Sequence, residues 1–368
     1  MPNSSERRAV VAGGGIVGLT TGLALRQAGF DVLVCEQEPE VGGVGASLGL
    51  WENALAVFDR LGVGSGIRAA GHPSAVRYQD PTGQILDEYY ADLTDVEYLM
   101  ITRRRLNQLL AEAVGQDHVR TSARVTGYED RADAVTVRFE DGSTTETDLL
   151  VGADGVYSKV REQLSPGSAA QEYPGHLAWR GIVPESAIPE IANERFVVGR
   201  ERTRGGVLRS GGGMAFWVLA QLGAQSSSAS GKEEALALVP HLHEGDWAFQ
   251  LREAIEATPE DKVVRNRVMA VPLQNRWVDG SVALAGDAAH ALSPHITSGA
   301  SLGIEDAVVL ADHLGQSSDV PAALKAYEAE RLPRYAEVYR RVDEVAEASV
   351  EPHEFAKEFF GFIRWMLR

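Results

Sequence analysis

The segment over residues 9–36 constrains the fold of this chain more than any other part of the sequence. An apolar run over 9–12, a glycine-rich turn, a helical stretch over 19–28 and a second apolar run over 32–35 follow one another. Short apolar runs that flank a helical stretch indicate a β-α-β unit, in which the two strands lie parallel in one sheet. The chain is therefore predicted to have an α/β fold whose helices pack against a parallel sheet.

The turn of this unit contains Gly13, Gly15 and Gly18 in the spacing Gly-x-Gly-x-x-Gly. The first glycine makes the turn, the second lets backbone N–H groups approach a pyrophosphate, and the third lets the helix pack closely on the strand. Glu36 follows the second strand, 18 residues after Gly18, where a carboxylate accepts a hydrogen bond from an adenosine ribose. Because strand, spacing and acid agree, a turn without a ligand is disfavoured. The pattern predicts a dinucleotide site and leaves NAD and FAD as alternatives.

Two further loops place a carboxylate directly after an apolar strand. Asp287 follows the run over 282–285, and Asp154 follows a second run, with Arg161 seven residues further on. Taken alone, either loop is also explained as a helix cap or a capped turn. Together with the glycine turn, Asp287 is placed to accept a hydrogen bond from a sugar or ribityl hydroxyl.

Other stretches indicate antiparallel structure. Alternating residues over 118–126, 134–140 and 146–151 predict a β meander. Strand-like runs separated by glycines over 173–219 predict an antiparallel sheet. A long charged helix is expected over 322–348, followed by aromatic residues at helical spacing, which favour packing on the core over a dimer or membrane face.

Together, the three loop motifs resemble those of the single-component FAD-dependent aromatic hydroxylases, the para-hydroxybenzoate hydroxylase-like monooxygenases. The chain is nearest in length to their salicylate hydroxylase-like branch, and the resemblance covers nearly all of it. It implies a Rossmann-like FAD-binding domain of the glutathione reductase type, interleaved with a smaller antiparallel-sheet substrate domain, and long C-terminal helices. Residues 1–72, 98–172 and 270–368 are expected to form the FAD-binding domain with the C-terminal helices, and residues 73–97 and 173–269 the substrate domain.

The resemblance also implies roles for individual residues. The glycine turn and Glu36 would bind the ADP part of FAD, and the loop of Asp154 and Arg161 would serve the pyrophosphate and a transient nicotinamide cofactor. Asp287 would hold the ribityl chain, and Arg103 matches the arginine of the family's Arg-x-x-Leu segment. The residues expected to contact the cofactor are Gly13, Gly15, Gly18, Glu36, Arg103, Asp154, Arg161, Asp287, Pro294, Gly299 and Ala300.

One segment departs from the family pattern. After Pro294 the family commonly reads Gly-Gln-Gly-x-Asn, whereas this chain has Thr297, Ser298, Gly299, Ala300 and Ser301. The glutamine and asparagine side chains are therefore absent. The backbone N–H groups at a helix N-terminus remain, and these would face the flavin N1–C2=O, where reduction places negative charge.

As the resemblance implies, the enzyme would use NADH or NADPH and O₂ to hydroxylate a small aromatic or phenolic substrate through a flavin C4a-hydroperoxide. A flavin-dependent halogenase or an isoprenoid-type reductase on the same fold is one alternative, and a non-catalytic flavin-bound effector module is another. The halogenase is disfavoured because no two tryptophans are two residues apart and Lys159 is the only lysine before residue 232.

Substrate contacts are expected from residues in or beside the predicted antiparallel sheet and from the loop after Pro294. Because strand residues alternate between faces, only some of them would reach a pocket. Arginines would suit a hydroxybenzoate and tryptophans a fused ring, while His295 and Arg180 are the catalytic candidates, His295 orienting or deprotonating a phenol. The candidates are His72, Tyr78, His176, Trp179, Arg180, Arg209, Trp217 and His295.

Composition limits the partners. The 35 basic and 52 acidic residues give a formal charge of −17, which disfavours nucleic acid and anionic membranes. A single cysteine, Cys35, and one close histidine pair, His241 and His243, argue against a metal site. No signal peptide or long apolar run is evident, so a soluble cytoplasmic monomer or homodimer is expected.

Overall fold

A computed structural model describes residues 7–42, 46–131, 134–191, 194–224 and 229–368. The strands are β1 (Arg7–Ala12), β2 (Phe30–Cys35), β3 (Ser47–Trp51), β4 (His72–Ser74), β5 (Tyr78–Gln79), β6 (Tyr98–Thr102), β7 (Val119–Arg120), β8 (Val125–Asp130), β9 (Val135–Phe139), β10 (Thr144–Thr147), β11 (Leu149–Gly152), β12 (Gln171–Pro184), β13 (Phe196–Val198), β14 (Thr203–Ser210), β15 (Met214–Leu222), β16 (Val264–Ala270), β17 (Val278–Asp279) and β18 (Val282–Leu284). The α-helices are α1 (Ile16–Gln27), α2 (Glu52–Arg60), α3 (Gly64–Ala70), α4 (Arg103–Val114), α5 (Lys159–Leu164), α6 (Gly231–Leu238), α7 (Leu251–Ala257), α8 (Asp287–His290), α9 (Gly299–Gln316), α10 (Val320–Glu347) and α11 (Pro352–Met366).

The predicted β-α-β unit forms the centre of a six-stranded sheet in the order β17-β18-β11-β1-β2-β7. Its strands are parallel except for β17, which pairs with β18 in the antiparallel sense. The central strands are apolar because they are buried in the core of the molecule. The predicted α/β class with long C-terminal helices is therefore confirmed.

The carboxyl ends of the central strands lie side by side at one edge of the sheet. Ala12 at the end of β1 pairs with Cys35 of β2 and with Gly152 of β11, and Gly152 pairs in turn with Leu284 of β18. Each motif loop of the sequence begins just after one of these ends. Ligands of open parallel sheets bind at this edge, so the register alone brings the motif loops together.

A second six-stranded sheet, here called the small sheet, has the order β16-β12-β15-β14-β13-β5. It is antiparallel except where β13 runs parallel to β5. Helices α6 and α7 cover one face, which we call the helix-covered face, and their side chains share one core with it. The opposite face packs toward the large sheet and its helices, and we call it the inner face.

Two hydrogen bonds between side chains join the inner face to the rest of the molecule. Ser210 at the end of β14 lies 2.7 Å from Ser47 of β3, oxygen to oxygen. Nδ1 of His176 on β12 lies 2.9 Å from Oγ of Ser293, in the loop before α9. The inner face is thereby held against the loops that follow the parallel strands.

The remaining strands form two three-stranded antiparallel sheets, β10-β9-β8 and β3-β6-β4. The meander prediction was correct for β9 and β10, but its first stretch overlaps β8 only at residues 125–126. Residues 119–120 form β7 and pair in parallel with β2, and the prediction was also wrong for residues 149–151. These belong to β11, whose four residues are all buried and pair in parallel with β1. A fully apolar run fits the centre of a parallel sheet better than a meander exposed on one side.

The aromatic C-terminal tail forms α11 and packs on the core, as the spacing favoured. Its buried side chains are Phe355, Phe359, Phe360, Phe362, Ile363 and Met366. Within the described residues, no helix combines the length and apolar character needed to cross a membrane.

Candidate functional site

The glycine turn lies between β1 and α1 and contacts the loop after β11. Gly13 donates its N–H to the carbonyl of Cys35 at 2.7 Å. A Cβ on Gly18 would lie 1.9 Å from the carbonyl oxygen of Gly13, so only glycine permits this approach of helix to turn. Gly15, the N-cap of α1, has no atom within 4 Å of where a Cβ would stand. The helix N-terminus therefore faces open space, as a pyrophosphate site requires.

Glu36 stands beside this turn at the end of β2. One carboxylate oxygen accepts the N–H of Gly14 at 2.8 Å, and the other accepts the N–H of Glu38 at 2.9 Å. These bonds hold the carboxylate at the edge of the sheet and leave lone pairs available, because an ionised carboxylate has about four acceptor sites.

Asp154 lies in the adjacent loop, between β11 and α5. Its Oδ2 accepts the N–H of Lys159 at 2.8 Å, so one oxygen does cap the helix. The other oxygen, Oδ1, is buried and has no hydrogen-bond partner among the described residues. Burial raises the pKa of this carboxyl, against the hydrogen bonds that lower it. A buried acceptor without a partner fits a site that a ligand's donor completes.

Arg161 makes hydrogen bonds that the sequence did not predict, and its cofactor contact stays a prediction. Its side chain is fully buried, and Nε, Nη1 and Nη2 donate to the carbonyls of Ser168, Ala288 and Val156 at 3.0, 2.9 and 2.8 Å. The guanidinium therefore ties the loop after β11 to α8. Sequence spacing put Arg161 in the right loop, but only the fold shows that it positions other residues.

Gly286 and Asp287 follow β18. Gly286 has φ +60° and ψ −142°, a combination that glycine alone adopts easily, and a Cβ there would lie 2.8 Å from the side chain of Val17. The close packing brings this loop against α1. Asp287, the first residue of α8, is exposed and makes no hydrogen bond with the described residues. Its carboxylate is thus available at the edge where the other motif loops meet.

The N-terminus of α9 completes this edge. Pro294 begins a short 3-10 helix, and Gly299 and Ala300 are the first two residues of the 18-residue helix that follows. The first N–H groups of a helix have no partner within it, and the helix dipole makes this end positive. Thr297 has φ +51° and a buried hydroxyl without a hydrogen-bond partner among the described residues. The side chain of His295 lies outside the described residues, so its predicted role stays a prediction.

A buried charge network holds the Gly286 loop in place. Asp306 of α9 accepts the N–H of Gly286 at 2.9 Å, Nε2 of His290 at 2.6 Å and Nε of Arg331 at 2.7 Å. Arg331 also donates to Glu305 at 3.1 Å. Burial opposes ionisation of Asp306, but Arg331 and His290 hold its pKa below the ordinary value. The network therefore fixes the loop of Asp287 to α9 and α10.

The two tryptophans predicted to line a substrate pocket lie elsewhere. Trp179 and Trp217 are on the helix-covered face, where their indole N–H groups donate to Glu234 at 3.0 Å and to Thr258 at 2.8 Å. Both are buried in the core with α6 and α7. Residue alternation assigns both to the side away from the large sheet, and their predicted contact with a substrate stays a prediction.

Arg209 also lies on the helix-covered face, because it pairs with Ala215, which belongs to the core shared with α6 and α7. Its guanidinium donates to Glu194 at 2.6 Å and to the carbonyl of Ile191 at 3.0 Å. His72 lies 3.4 Å from the same Glu194. Glu194 and the Ile191 carbonyl therefore partner the guanidinium of Arg209, and its predicted substrate contact stays a prediction.

Arg180 does lie on the inner face. Its Nη2 donates to Asn266 at 2.8 Å. Burial lowers the pKa of Arg180, and so does the nearby positive charge of Arg103. Arg103, the first residue of α4, is exposed and forms no ion pair with the described residues. Two cations from different parts of the chain thus approach each other, an arrangement that suits an anionic ligand between them.

Tyr78 of β5 is buried among the aromatic rings of α11, with ring centroids 5.2 Å from Phe355 and 5.1 Å from Phe359. Burial raises the pKa of Tyr78 far above its ordinary value, so the phenol is neutral. The predicted contact of Tyr78 with a substrate stays a prediction.

Arg204 is the residue that sequence reasoning missed. It lies on β14 with 8% of its surface exposed, its guanidinium carbon is 4.4 Å from the ring centroid of Phe355, and Nη1 has no hydrogen-bond partner among the described residues. Arg209, five positions along the same strand, was chosen instead. An odd separation puts two strand residues on opposite faces, so the choice between them required the register.

His176, a sequence candidate, links this arginine to the cofactor edge. Burial, with the charge of Arg204, lowers the pKa of His176 to about 3, so the imidazole is neutral at physiological pH. His176 is hydrogen-bonded to Ser293, which immediately precedes the segment that leads into α9.

Comparison with known proteins adds a second kind of evidence. Residues 6–342 match the family described as FAD binding domain. The chain is 34% identical to aurachin C monooxygenase/isomerase of Stigmatella aurantiaca, over 88% of this chain and 85% of that one. It is 33% identical to 3-hydroxybenzoate 6-hydroxylase 1 of Aquipseudomonas alcaligenes, over 89% and 86% of the two chains. The structure of Klebsiella pneumoniae HpxO with FAD and uric acid superimposes with a TM-score of 0.80 at 28% identity, covering 98% of this chain and 93% of that one.

Proposed function

Because the chain belongs to the FAD-binding family of flavoprotein monooxygenases, we propose that it hydroxylates a small aromatic or phenolic compound. It is an FAD-dependent oxidoreductase with NADH or NADPH as the electron donor. We propose O₂ as the oxidant, because a monooxygenase places one oxygen atom in its product. The observation that carries the proposal is the alignment of all the motif loops at one sheet edge in a chain that matches such enzymes along most of its length.

The described residues fit FAD at several points. The turn is open in front of Gly15, Asp287 is exposed without a partner, and Oδ1 of Asp154 is a buried acceptor with none. When bound, FAD supplies the electron transfer and oxygen activation that side chains lack.

Each part of the chain then has a distinct task. Glu36 accepts from the ribose hydroxyls, and Asp287 accepts from the ribityl chain. The N-terminus of α9, at Gly299 and Ala300, would stabilise negative charge on the bound flavin. The inner face of the small sheet and α11 exclude water from the substrate. Arg180 orients the substrate and His295 holds or removes a phenolic proton, as the sequence predicted.

We also propose the domain division predicted from the sequence, with residues 73–97 and 173–269 forming the substrate domain. Every strand of the small sheet lies within 78–79 or 171–270, which supports the limits 173 and 269 to within two residues. For assembly we propose a monomer or homodimer, to be determined by light scattering. A cytoplasmic location is proposed because NADH and NADPH are available there.

The first experiment tests the cofactor assignment. Asp287→Ala should lose most bound FAD, because the carboxylate is the free acceptor at this edge. The flavin-to-protein absorbance ratio of the purified protein measures this loss. Asp261→Ala, which changes an exposed acid paired only with Lys262, is the control and should keep full occupancy. Full FAD occupancy in the Asp287 variant would contradict the assignment.

The second experiment tests the reaction. A panel of aromatic compounds should stimulate NAD(P)H oxidation, with product masses increased by one oxygen atom. A halogenated product would identify a halogenase, and a product that gained hydrogen would identify a reductase. Binding of aromatics without stimulated oxidation would identify the non-catalytic effector module.

A further inference from the structure

We propose that Asn107 of α4 binds FAD, and that its side-chain amide contacts the cofactor where sugar and ribityl hydroxyls flank the pyrophosphate. This inference deepens the proposed function and rests on it, because it adds a residue from a second helix to the same cofactor site. Asn107 belongs to none of the three motif loops, so the assignment depends on how α4 packs.

Asn107 is a polar residue on the buried side of α4. The other buried residues of this helix, Leu106, Leu110 and Val114, are all apolar. Asn107 is 5% exposed, and its Oδ1 has no hydrogen-bond partner among the described residues. A buried amide oxygen without a partner destabilises a protein, whereas leucine packs at such a position without this cost. The unpaired oxygen therefore indicates a position where a donor from a ligand completes the hydrogen bonding.

Helix α4 packs alongside α1 and runs in the same direction. Arg26, in the last turn of α1, donates to the carbonyl oxygen of Val114, the last residue of α4. The strand after each helix, β2 after α1 and β7 after α4, joins the parallel sheet in the same sense. Because the two helices end together and lead into parallel strands, α4 begins at the cofactor edge, as α1 does.

The contact between the helices sets Asn107 level with the glycine turn. A Cβ on Gly22 of α1 would lie 3.9 Å from the side chain of Val114. Asn107 precedes Val114 by seven residues, and Gly15 precedes Gly22 by seven. Seven residues are about two turns, or about 10 Å, so both lie nearer the cofactor edge and on the facing sides of their helices. No described atom lies within 4 Å of where a Cβ on Gly15 would stand, so Asn107 borders the open space that a pyrophosphate requires.

The first turn of α4 is held in a fixed position. The hydroxyl of Thr102 accepts the N–H of Arg105 at 3.3 Å, and the N–H of Arg103 bonds to the carbonyl of Ala46 at 3.3 Å. Arg103 precedes Asn107 by four residues, and side chains four apart lie on the same face of a helix. Helix α4 therefore directs both the exposed arginine and the buried amide toward the same edge.

The chemistry of an amide suits this part of FAD. The amide oxygen accepts hydrogen bonds, and the NH₂ group donates two. Ribityl and ribose hydroxyls supply the donor that Oδ1 lacks, and phosphate oxygens accept from the NH₂ group. An amide carries no charge, so it binds beside the pyrophosphate without the repulsion that a carboxylate would add.

The test compares wild type with Asn107→Leu, which keeps the approximate size of the side chain and removes its hydrogen-bonding groups. The FAD-loaded proteins are dialysed against a series of FAD concentrations, and bound flavin is measured by absorbance. Asn107→Leu should raise the Kd for FAD about tenfold, because a cofactor hydroxyl loses its partner. Gln108→Leu makes the same kind of change at the next, half-buried position of the helix. This control should bind FAD as wild type does.

The melting temperature, measured as a function of added FAD, separates a binding role from a structural one. If Asn107 serves FAD, the leucine variant should melt no lower than wild type at FAD concentrations far below the Kd, because leucine needs no partner. It should also need about tenfold more FAD for the same stabilisation. A variant that fails to fold, or that melts well below wild type at every FAD concentration, would assign Asn107 a structural role and overturn the proposal.

An unchanged Kd for FAD would also overturn the proposal. These failures are distinct from failure of the proposed function. If Asp287→Ala loses FAD and Asn107→Leu does not, the cofactor edge stands without Asn107. Tenfold weaker FAD binding by Asn107→Leu, in an enzyme that hydroxylates no aromatic compound, would contradict the reaction and leave the role of Asn107 standing.

Discussion

Arg331 and Arg204 are both buried, with 3% and 8% of their surfaces exposed, yet their surroundings are opposite. Arg331, in α10, donates to Asp306 and Glu305. Burial opposes its charge, but these acids raise the pKa of Arg331 well above its usual value. Arg204, in the small sheet, has aromatic neighbours and no acidic partner among the described residues, and its pKa falls.

The difference separates a structural charge from one available to a ligand. A buried cation whose hydrogen bonds are satisfied by the protein holds elements together, as Arg331 does for α9 and α10. A buried cation left incomplete indicates a site where a ligand supplies the partner. Three substitutions test this distinction and related features of the site, in order of decreasing expected effect.

Arg331→Met should destabilise the protein by about 3–5 kcal/mol, because it leaves the buried carboxylate of Asp306 without its main counter-charge. Displacement of the Gly286 loop should also lower FAD occupancy. Urea unfolding and the flavin-to-protein absorbance ratio measure the two effects. Arg340→Met, on the exposed face of the same helix, is the control and should change little. A loss no greater than that of the control would remove the contrast with Arg204.

His176 predicts a pH dependence on the Arg204 side. The side chain of His176 is next to those of Arg204, Tyr173 and Ser293. The pKa of His176 is lowered to about 3 in the folded protein, against roughly 6.5 unfolded. Between these values the unfolded chain binds a proton that the folded chain excludes. Stability is therefore lost as the pH falls through this window, by about 1.4 kcal/mol per unit.

His176→Asn removes this proton uptake. From pH 6.5 to pH 5, wild type should lose about 2 kcal/mol more than the variant, measured by urea unfolding at each pH. Parallel stability profiles for the two proteins would show that His176 titrates normally in the folded state.

Thr297→Gly should raise stability by about 1 kcal/mol, because a β-branched residue is strained at positive φ and its buried hydroxyl has no partner. Ser122→Gly, at φ +51° on the exposed surface, is the matched control. Both variants should raise the melting temperature, whereas only Thr297→Gly should shift the flavin absorbance spectrum. A destabilised Thr297 variant would mean that the hydroxyl makes a favourable contact.

Much of the cofactor site could be predicted because its determinants are local. The turn at Gly13 to Gly18, Glu36 at the end of β2 and Asp287 after β18 each depend on a few neighbouring residues. Parallel pairing then brings these strand ends together without further information. The roles of the individual site residues remain predictions until the variants are measured.

The substrate side could be predicted only in outline. Trp179, Trp217 and Arg209 were chosen by residue type, but they lie on the helix-covered face. Arg161 was placed in the correct loop, yet its guanidinium nitrogens donate hydrogen bonds to backbone carbonyls. The sheet face on which a side chain lies depends on strand register, and its bonding partners depend on contacts between distant segments. A local sequence pattern contains neither kind of information.

Local sequence patterns were enough to predict the α/β class, the position of the cofactor edge and the family to which the chain is similar, because turns and strand ends depend on adjacent residues. Only contacts between distant segments determine which buried arginine is paired with acids among the described residues. Acids from α9 surround Arg331, whereas aromatic rings from α11 and β5 surround Arg204. The charge state and availability of a buried group depend on what distant segments place around it, and only folding brings those segments together.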